Sequence, residues 1–165
     1  MDRLWSPWRL QYVLSNKTDT GCPFCEAPTL PEQQSLIVFH GRTCYVILNL
    51  YPYNNGHIMV VPYRHVASFA LLSPDELQEV ALLTQRAEIA LTEGYRPHGL
   101  NVGVNLGRSA GGGIPEHLHV HLVPRWSGDT NFISVVGNTR VLPEDLQQST
   151  ARLRPVFADL VRKST

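Results

Sequence analysis

Glu116-His117-Leu118-His119-Val120-His121-Leu122-Val123-Pro124 alternates histidine with aliphatic residues at period two. On a β-strand this sends three imidazoles to one face, neighbours about 6.5 to 7 Å apart, and buries Leu118, Val120 and Leu122 on the other. A half-buried strand whose polar face happens to be histidine is the bland alternative. The chain has only seven histidines, so three on one face of one strand is a poor fit to chance. A rival with chemical content is a metal site, because imidazoles at alternate strand positions converge on one ion. No carboxylate motif that would complete such a site follows, which ranks this rival second.

Immediately upstream, Asn105-Leu106-Gly107-Arg108-Ser109-Ala110-Gly111-Gly112-Gly113 is glycine-rich. Closely spaced glycines let backbone N–H groups approach phosphate oxygens, and Arg108 adds charge. A flexible turn has the same composition, so the loop gains meaning only from running into the histidine strand. Further out, Leu36 to Phe39, Cys44 to Leu48 and His57 to Val61 are β-branched and apolar runs separated by turn residues, which reads as an antiparallel meander. Gly99 to Val104 and His117 to Val123 supply two more strands. Ser73-Pro74-Asp75-Glu76 combines an N-cap, a proline at N1 and a glutamate at N3, and Gly94 is a stop signal, so a helix is predicted over 74–93. Leu77, Val80, Ala81, Ala87, Ala90 and Leu91 form its predicted core face. A second helix, from Pro143 onward, is weakened by Pro155.

These elements predict one α+β domain over 1–165, with a five-stranded antiparallel sheet and about two helices packed on it. It divides into an irregular N-terminal arm at 1–35, carrying Trp5 and Trp8, a catalytic core at 36–126 and a C-terminal helical segment at 127–165. Lysine plus arginine equals aspartate plus glutamate at 14 each, so no global field draws nucleic acid or an anionic membrane, and neither is expected as a partner. No basic stretch precedes an apolar run at the start and no segment reaches the length of a membrane span, so a cytoplasmic protein is expected. An odd count of three cysteines speaks against a disulfide framework.

The pattern N-x-G-x-x-A-G followed by H-φ-H-φ-H-φ-φ resembles the signature of the histidine-triad (HIT) family of nucleotide hydrolases and transferases. Asn49 to His65, reading N-L-Y-P-Y-N-N-G-H-I-M-V-V-P and on, resembles that family's nucleotide-pocket strand and turn, so the similarity covers most of 20–126. Val123 to Phe132 (V-P-R-W-S-G-D-T-N-F) and the N-terminal R-L-W-S-P-W-R resemble the branch that phosphorolyses diadenosine tetraphosphate. One departure stands out: after Ala110-Gly111 the family's usual glutamine is absent and Gly112-Gly113 follows.

The resemblance implies that His119 attacks an α-phosphorus through a neutral Nε2, forming a nucleotidyl-histidine that phosphate or water resolves. Its other nitrogen must keep a proton on a backbone carbonyl. His121 would bond phosphate oxygens, Asn105 and the amides of Gly107, Gly111, Gly112 and Gly113 would stabilise the pentacoordinate state, and Arg108 and Ser109 would meet the leaving group. Asn49 would hold the ribose, with apolar residues around Leu48 and Leu50 flanking the base; as a residue read alone, Asn49 is equally a turn cap. The C-P-F-C pair, Cys22 and Cys25, can offer two thiolates to Zn²⁺, and by resemblance His65 and His117 complete a structural site. A cysteine pair without metal is its alternative. His57 is expected to pack near the site, His40 and His98 to be solvated, and Cys44 to be core. The resemblance also implies a homodimer or larger even oligomer. Competing functions are hydrolysis of dinucleoside polyphosphates or adenosine phosphoramidates, a nucleotide-binding regulator without turnover, and a metal-binding protein. Uridylyl transfer is set aside because that branch has glutamine where this chain has His121.

Overall fold

A computed structural model describes residues 21–130, 142 and 144–163. Trp5, Trp8 and the rest of the arm before Gly21 lie outside them, as does Pro143. Five strands, β1 (Ile37–His40), β2 (Cys44–Leu48), β3 (Ile58–Pro62), β4 (Gly99–Gly103) and β5 (Val120–Arg125), form one sheet in the order β1-β2-β3-β5-β4. Every neighbouring pair is antiparallel, and β1 to β3 make the expected meander. Helices α1 (Pro23–Glu26), α2 (Pro74–Tyr95) and α3 (Leu146–Lys163) complete the α+β fold. Among the described residues, no helix is long and apolar enough to cross a membrane.

The alternation of the strands divides the sheet into two apolar faces. Cys44, Val46, Leu48, Ile58, Val60, Val120 and Leu122 point to the face that α2 and α3 cover with Val80, Leu83, Ala87, Leu91, Leu153 and Phe157. Tyr45, Ile47, Met59 and Val61 point the other way and are covered by Phe24 and Ala27 of the α1 segment. The part of the arm from 21 to 35 is therefore ordered as α1 and a 3₁₀ turn, Ala27–Thr29, rather than irregular.

The Ser73 cap of α2 closes as the sequence predicts, its hydroxyl accepting from Glu76 N–H while the Glu76 carboxylate accepts from Ser73 N–H. The buried stripe is Glu76, Val80, Leu83, Ala87, Ala90 and Leu91, spaced by threes and fours up to Ala90, whereas Leu77 and Ala81 are exposed. Glu76 can sit in that stripe because Arg64 meets both its oxygens, at 2.9 and 2.6 Å. The helix runs through Gly94 to Tyr95, and the left-handed turn falls on Arg96 at φ 47°. Gly94 instead faces α3, beside Leu153 and Arg152. Pro155 does not end α3: it is exposed, and Leu153 and Phe157 on either side of it are fully buried, so tertiary burial outweighs the lost backbone bond. Arg154, on the same helix, donates to the carbonyls of Glu32, Ser35 and Ile37 at the start of β1, an edge of the sheet.

The histidine strand lies further along the chain than predicted: its ladder begins at Val120 and not at His117, and it runs to Arg125 rather than Val123. The register Val60↔Val120 would next bring Pro62 to Leu118. Pro62 has no N–H to give, and its carbonyl is taken by His117 Nε2 at 2.9 Å, so Leu118 N–H bonds Val66 O instead. The alternation persists through the unpaired part: Leu118, Val120 and Leu122 stay buried, and His117, His119 and His121 keep to the side facing α1.

Candidate active site and metal cluster

His119 is 5 % exposed, and its Nδ1 lies 2.7 Å from the His117 carbonyl. A carbonyl only accepts, so Nδ1 carries the proton and Nε2 keeps its lone pair. Burial pushes the ring's pKa below the ordinary histidine range and so favours the neutral ring, while the bond to that carbonyl acts in the opposite direction and only partly offsets it. The Phe24 ring packs at 4.8 Å on one side of His119, and the His121 ring meets it edge-on at 4.8 Å.

His121 has its tautomer set in turn by His57. Tyr53 N–H donates to His57 Nδ1 at 3.1 Å, so a neutral His57 carries its proton on Nε2, and that group donates to His121 Nδ1 at 2.9 Å. A neutral His121 then has its proton on Nε2. His57 is fully buried, and burial, followed by the neighbouring charges of His121 and His119, pushes it down to about 3. The turn carrying Tyr53 is braced by Asn54, which donates to Pro124 O and to Asp129, itself paired with Arg125. Gly56 closes that turn at φ +69°, where a Cβ would come within 2.7 Å of the Tyr95 ring.

Asn49 follows β2 and lies beside this relay, its N–H on His57 O at 2.9 Å. Its Oδ1 accepts from Tyr51 N–H at 2.9 Å, so the turn-capping role is realised in the structure. Leu50 is 58 % exposed, but Leu48 is 2 % exposed in the core beneath α2 and cannot flank a base. The glycine loop leaves β4 where Gly103 pairs with His121 and returns at Ile114, which packs in the Phe24 cluster. Between these points Arg108, Ser109 and Ala110 form a 3₁₀ turn flanked by Gly107 at φ +78° and Gly111 at φ +82°, values that favour glycine. Gly112 packs against Asn105 and Gly107. Arg108 is well exposed and lies 3.8 Å from Glu116.

Cys22, Cys25, His65 and His117 come together although they lie on segments far apart in sequence. Their ligand atoms all fall within 4.8 Å of one another, the one such group found among the described residues. Cys22 caps α1 and Cys25 sits one turn on, so a single turn aims both sulfurs the same way. Cys22 Sγ is 3.2 Å and Cys25 Sγ 3.6 Å from His117 Nδ1, and Cys25 Sγ is 3.3 Å from His65 Nδ1. A tetrahedral zinc with Zn–S of ~2.3 Å and Zn–N of ~2.0 Å sets its ligand atoms roughly 3.3 to 3.8 Å apart, so the donor set fits. The Nε2–H of His117 on Pro62 O leaves Nδ1 as the ligating nitrogen. Burial, then the hydrogen bond and charge of Cys22, push the Cys25 thiol up in the absence of a metal.

Residues 30–128 match the HIT domain family. The chain belongs to the HIT family. Cys22 and Cys25 precede the matched HIT residues. The chain is 45% identical over 161 residues to a Mycobacterium tuberculosis protein named AP-4-A phosphorylase, covering 93% of this chain and 82% of that one. Among solved structures, it is similar to a hypothetical histidine triad nucleotide-binding protein from Sulfolobus tokodaii, with TM-score 0.70 and 28% identity, covering 86% of this chain and 95% of that one. A zinc-bound histidine triad family protein from Mycobacterium smegmatis gives TM-score 0.69 and 28% identity, covering 87% and 97%.

Sequence reasoning placed His57 beside the HIT site as packing and missed its hydrogen bond to His121. It also passed over Phe24 and Tyr53. The signal for Phe24 was its place between two cysteines; nothing in the string marked Tyr53, whose role is a backbone N–H. His40 bonds Tyr63 through Nδ1 and His98 bonds Ser127, both at the surface. Cys44 is core, with burial raising its thiol to about 11.

Proposed function

We propose that this protein is a nucleotidyltransferase of dinucleoside polyphosphates with phosphate as acceptor, converting diadenosine tetraphosphate and phosphate to ADP and ATP. The observation that carries this reading is the His119 ring, buried and neutral with its Nδ1–H on a backbone carbonyl, so that Nε2 is the nucleophile. The substrate class is supported by the similarity to the mycobacterial protein named AP-4-A phosphorylase.

In the first step His119 Nε2 forms a P–N bond to the α-phosphorus as the P–O bond to the rest of the chain breaks and ATP leaves. The positive charge that develops on the ring is stabilised through Nδ1–H by the His117 carbonyl. His121 donates from Nε2 to phosphate oxygens. Asn105 and the amides of Gly107, Gly111, Gly112 and Gly113 stabilise the five-coordinate phosphorus, while Arg108 and Ser109 contact the leaving polyphosphate. Asn49 has Oδ1 engaged by Tyr51 and so meets the ribose through its remaining capacity, Nδ2 included. In the second step a phosphate oxygen attacks the same phosphorus, the P–N bond breaks, and ADP leaves with His119 restored.

Cys22, Cys25, His65 and His117 would hold a structural Zn²⁺, which supplies a cross-link between α1, the end of β3 and the approach to β5. The protein acts as a homodimer or larger even oligomer in the cytoplasm, where its three cysteines, none in a disulfide, stay reduced. Product analysis of diadenosine tetraphosphate with and without orthophosphate tests the function. ADP plus ATP formed only with phosphate is the expected result. AMP plus ATP without phosphate would make the protein a hydrolase, and binding without turnover would make it a regulator.

A further inference from the structure

His119 has one hydrogen bond among the described residues, from Nδ1 to the His117 carbonyl. With the ring tethered covalently at Cγ and by one hydrogen bond at Nδ1, the swing left to it is about the line through those two atoms, and that swing moves Nε2, the atom that must face phosphorus. Two rings close that swing: His121, edge-on at 4.8 Å, and Phe24, tilted by 40° at 4.8 Å. Phe24 is 6 % exposed and is the buried residue of α1. Its ring also meets His117 at 5.4 Å, and its carbonyl is pinned by the Tyr45 hydroxyl at 2.6 Å. It stands between Cys22 and Cys25, so whatever holds the two sulfurs beside His65 and His117 also holds this ring against His119.

We propose that Phe24 is a positioning residue for His119, a wall that the cysteine cluster sets in place and that holds Nε2 in line for attack. The proposal deepens the reading of His119 as nucleophile and rests on it. It gives the cluster a task in the reaction without touching substrate: the turn that gathers the sulfurs also carries the ring that orients the nucleophile. Phe24 also belongs to the apolar cluster with Tyr45, Ile47, Met59 and Val61, so a loss of stability by itself says nothing about positioning.

The test is made on the full chain with Phe24→Ala and with Phe24→Leu, which keeps apolar volume where the alanine variant fails to fold. Measured for each are kcat and KM for diadenosine tetraphosphate, single-turnover labelling of His119, bound zinc per folded chain, and the two-bond ¹H–¹⁵N correlations of the imidazoles at one fixed pH. The expected result for alanine is a fall in kcat of about 10- to 100-fold, the range that a misplacement near 1 Å produces. The labelling rate should fall equally, with KM and zinc content unchanged. Leucine should fall between alanine and the wild type. The His119 correlations, sharp and of one tautomer in the wild type, should broaden or shift in both variants while those of His57 stay. Unchanged kcat and unchanged His119 correlations would overturn the proposal, as would a loss of kcat matched by an equal loss of zinc. His119→Ala is run alongside. If it still turns over, or the wild type takes no label, the nucleophile reading fails, and the imidazole correlations alone still decide whether Phe24 orients the ring.

Discussion

An imidazole has two nitrogens, and which one offers its lone pair is decided by what the other one touches. Here a backbone carbonyl decides for His119, and Tyr53 N–H decides for His57 and through it for His121. The second arrangement has a consequence in acid. The His57 pKa is about 3 when folded against an ordinary 6.5, so protonation is favoured in the unfolded chain. The stability His57 contributes is fully present above pH 6.5 and is lost as pH falls toward 3, at about 1.4 kcal/mol per unit. Urea unfolding from pH 7 to 4 should therefore show the wild type losing stability more steeply than His57→Asn, by one proton's worth of slope. Equal slopes would mean that His57 is protonated in the fold. The alternation of the three histidines was legible because spacing along a strand fixes the side each residue takes. The relay was not, since it depends on a backbone N–H whose direction is set by the 51–56 turn. Nor was the burial of Leu48, which is fixed by the side of the sheet that α2 covers.

Strands and helices were legible to within a few residues wherever local signals acted alone. The capping box of α2 and the β1–β2–β3 meander are of this kind. The misses came from tertiary contacts: the ladder of β5 stops at Pro62 of a different strand, and α3 continues through Pro155 because Leu153 and Phe157 are buried. A helix also stabilises the turn between β1 and β2. The Glu79 carboxylate accepts from the backbone N–H groups of Arg42 at 2.8 Å and Cys44 at 3.0 Å, and from both the N–H and the hydroxyl of Thr43. Burial raises its pKa, but these hydrogen bonds outweigh burial and leave it below the ordinary value. Glu79→Ala should cost about 2 kcal/mol in denaturant unfolding at pH 7, because backbone donors lose their acceptor. The difference from wild type should shrink as pH falls below the ordinary carboxylate range of about 4.3, where the native carboxylate must take up a proton. A cost that is the same at pH 7 and at pH 3 would assign the effect to packing.

For the molecule as a whole, the Cys22, Cys25, His65 and His117 cluster ties α1 to the segments that follow β3 and precede β5. Metal held there binds the folded chain and not the separated segments, so it adds stability by mass action. One zinc per chain is expected by elemental analysis. Chelation should lower the melting temperature of the wild type and leave that of Cys25→Ser, already lowered, unmoved. A cleft of about 620 Å³ beside β1 and α3 is lined by none of His57, His117, His119 or His121, so shape alone would not have led to the chemistry. Arg154 borders that same cleft, with its guanidinium on the carbonyls of Glu32, Ser35 and Ile37. Of those acceptors Ile37 belongs to β1, one margin of the sheet, and a strand arriving there would meet a bound cation on that carbonyl rather than an open acceptor. Of the sheet's two margins, β1 and β4, the one at β1 is thereby guarded against the addition of a further strand.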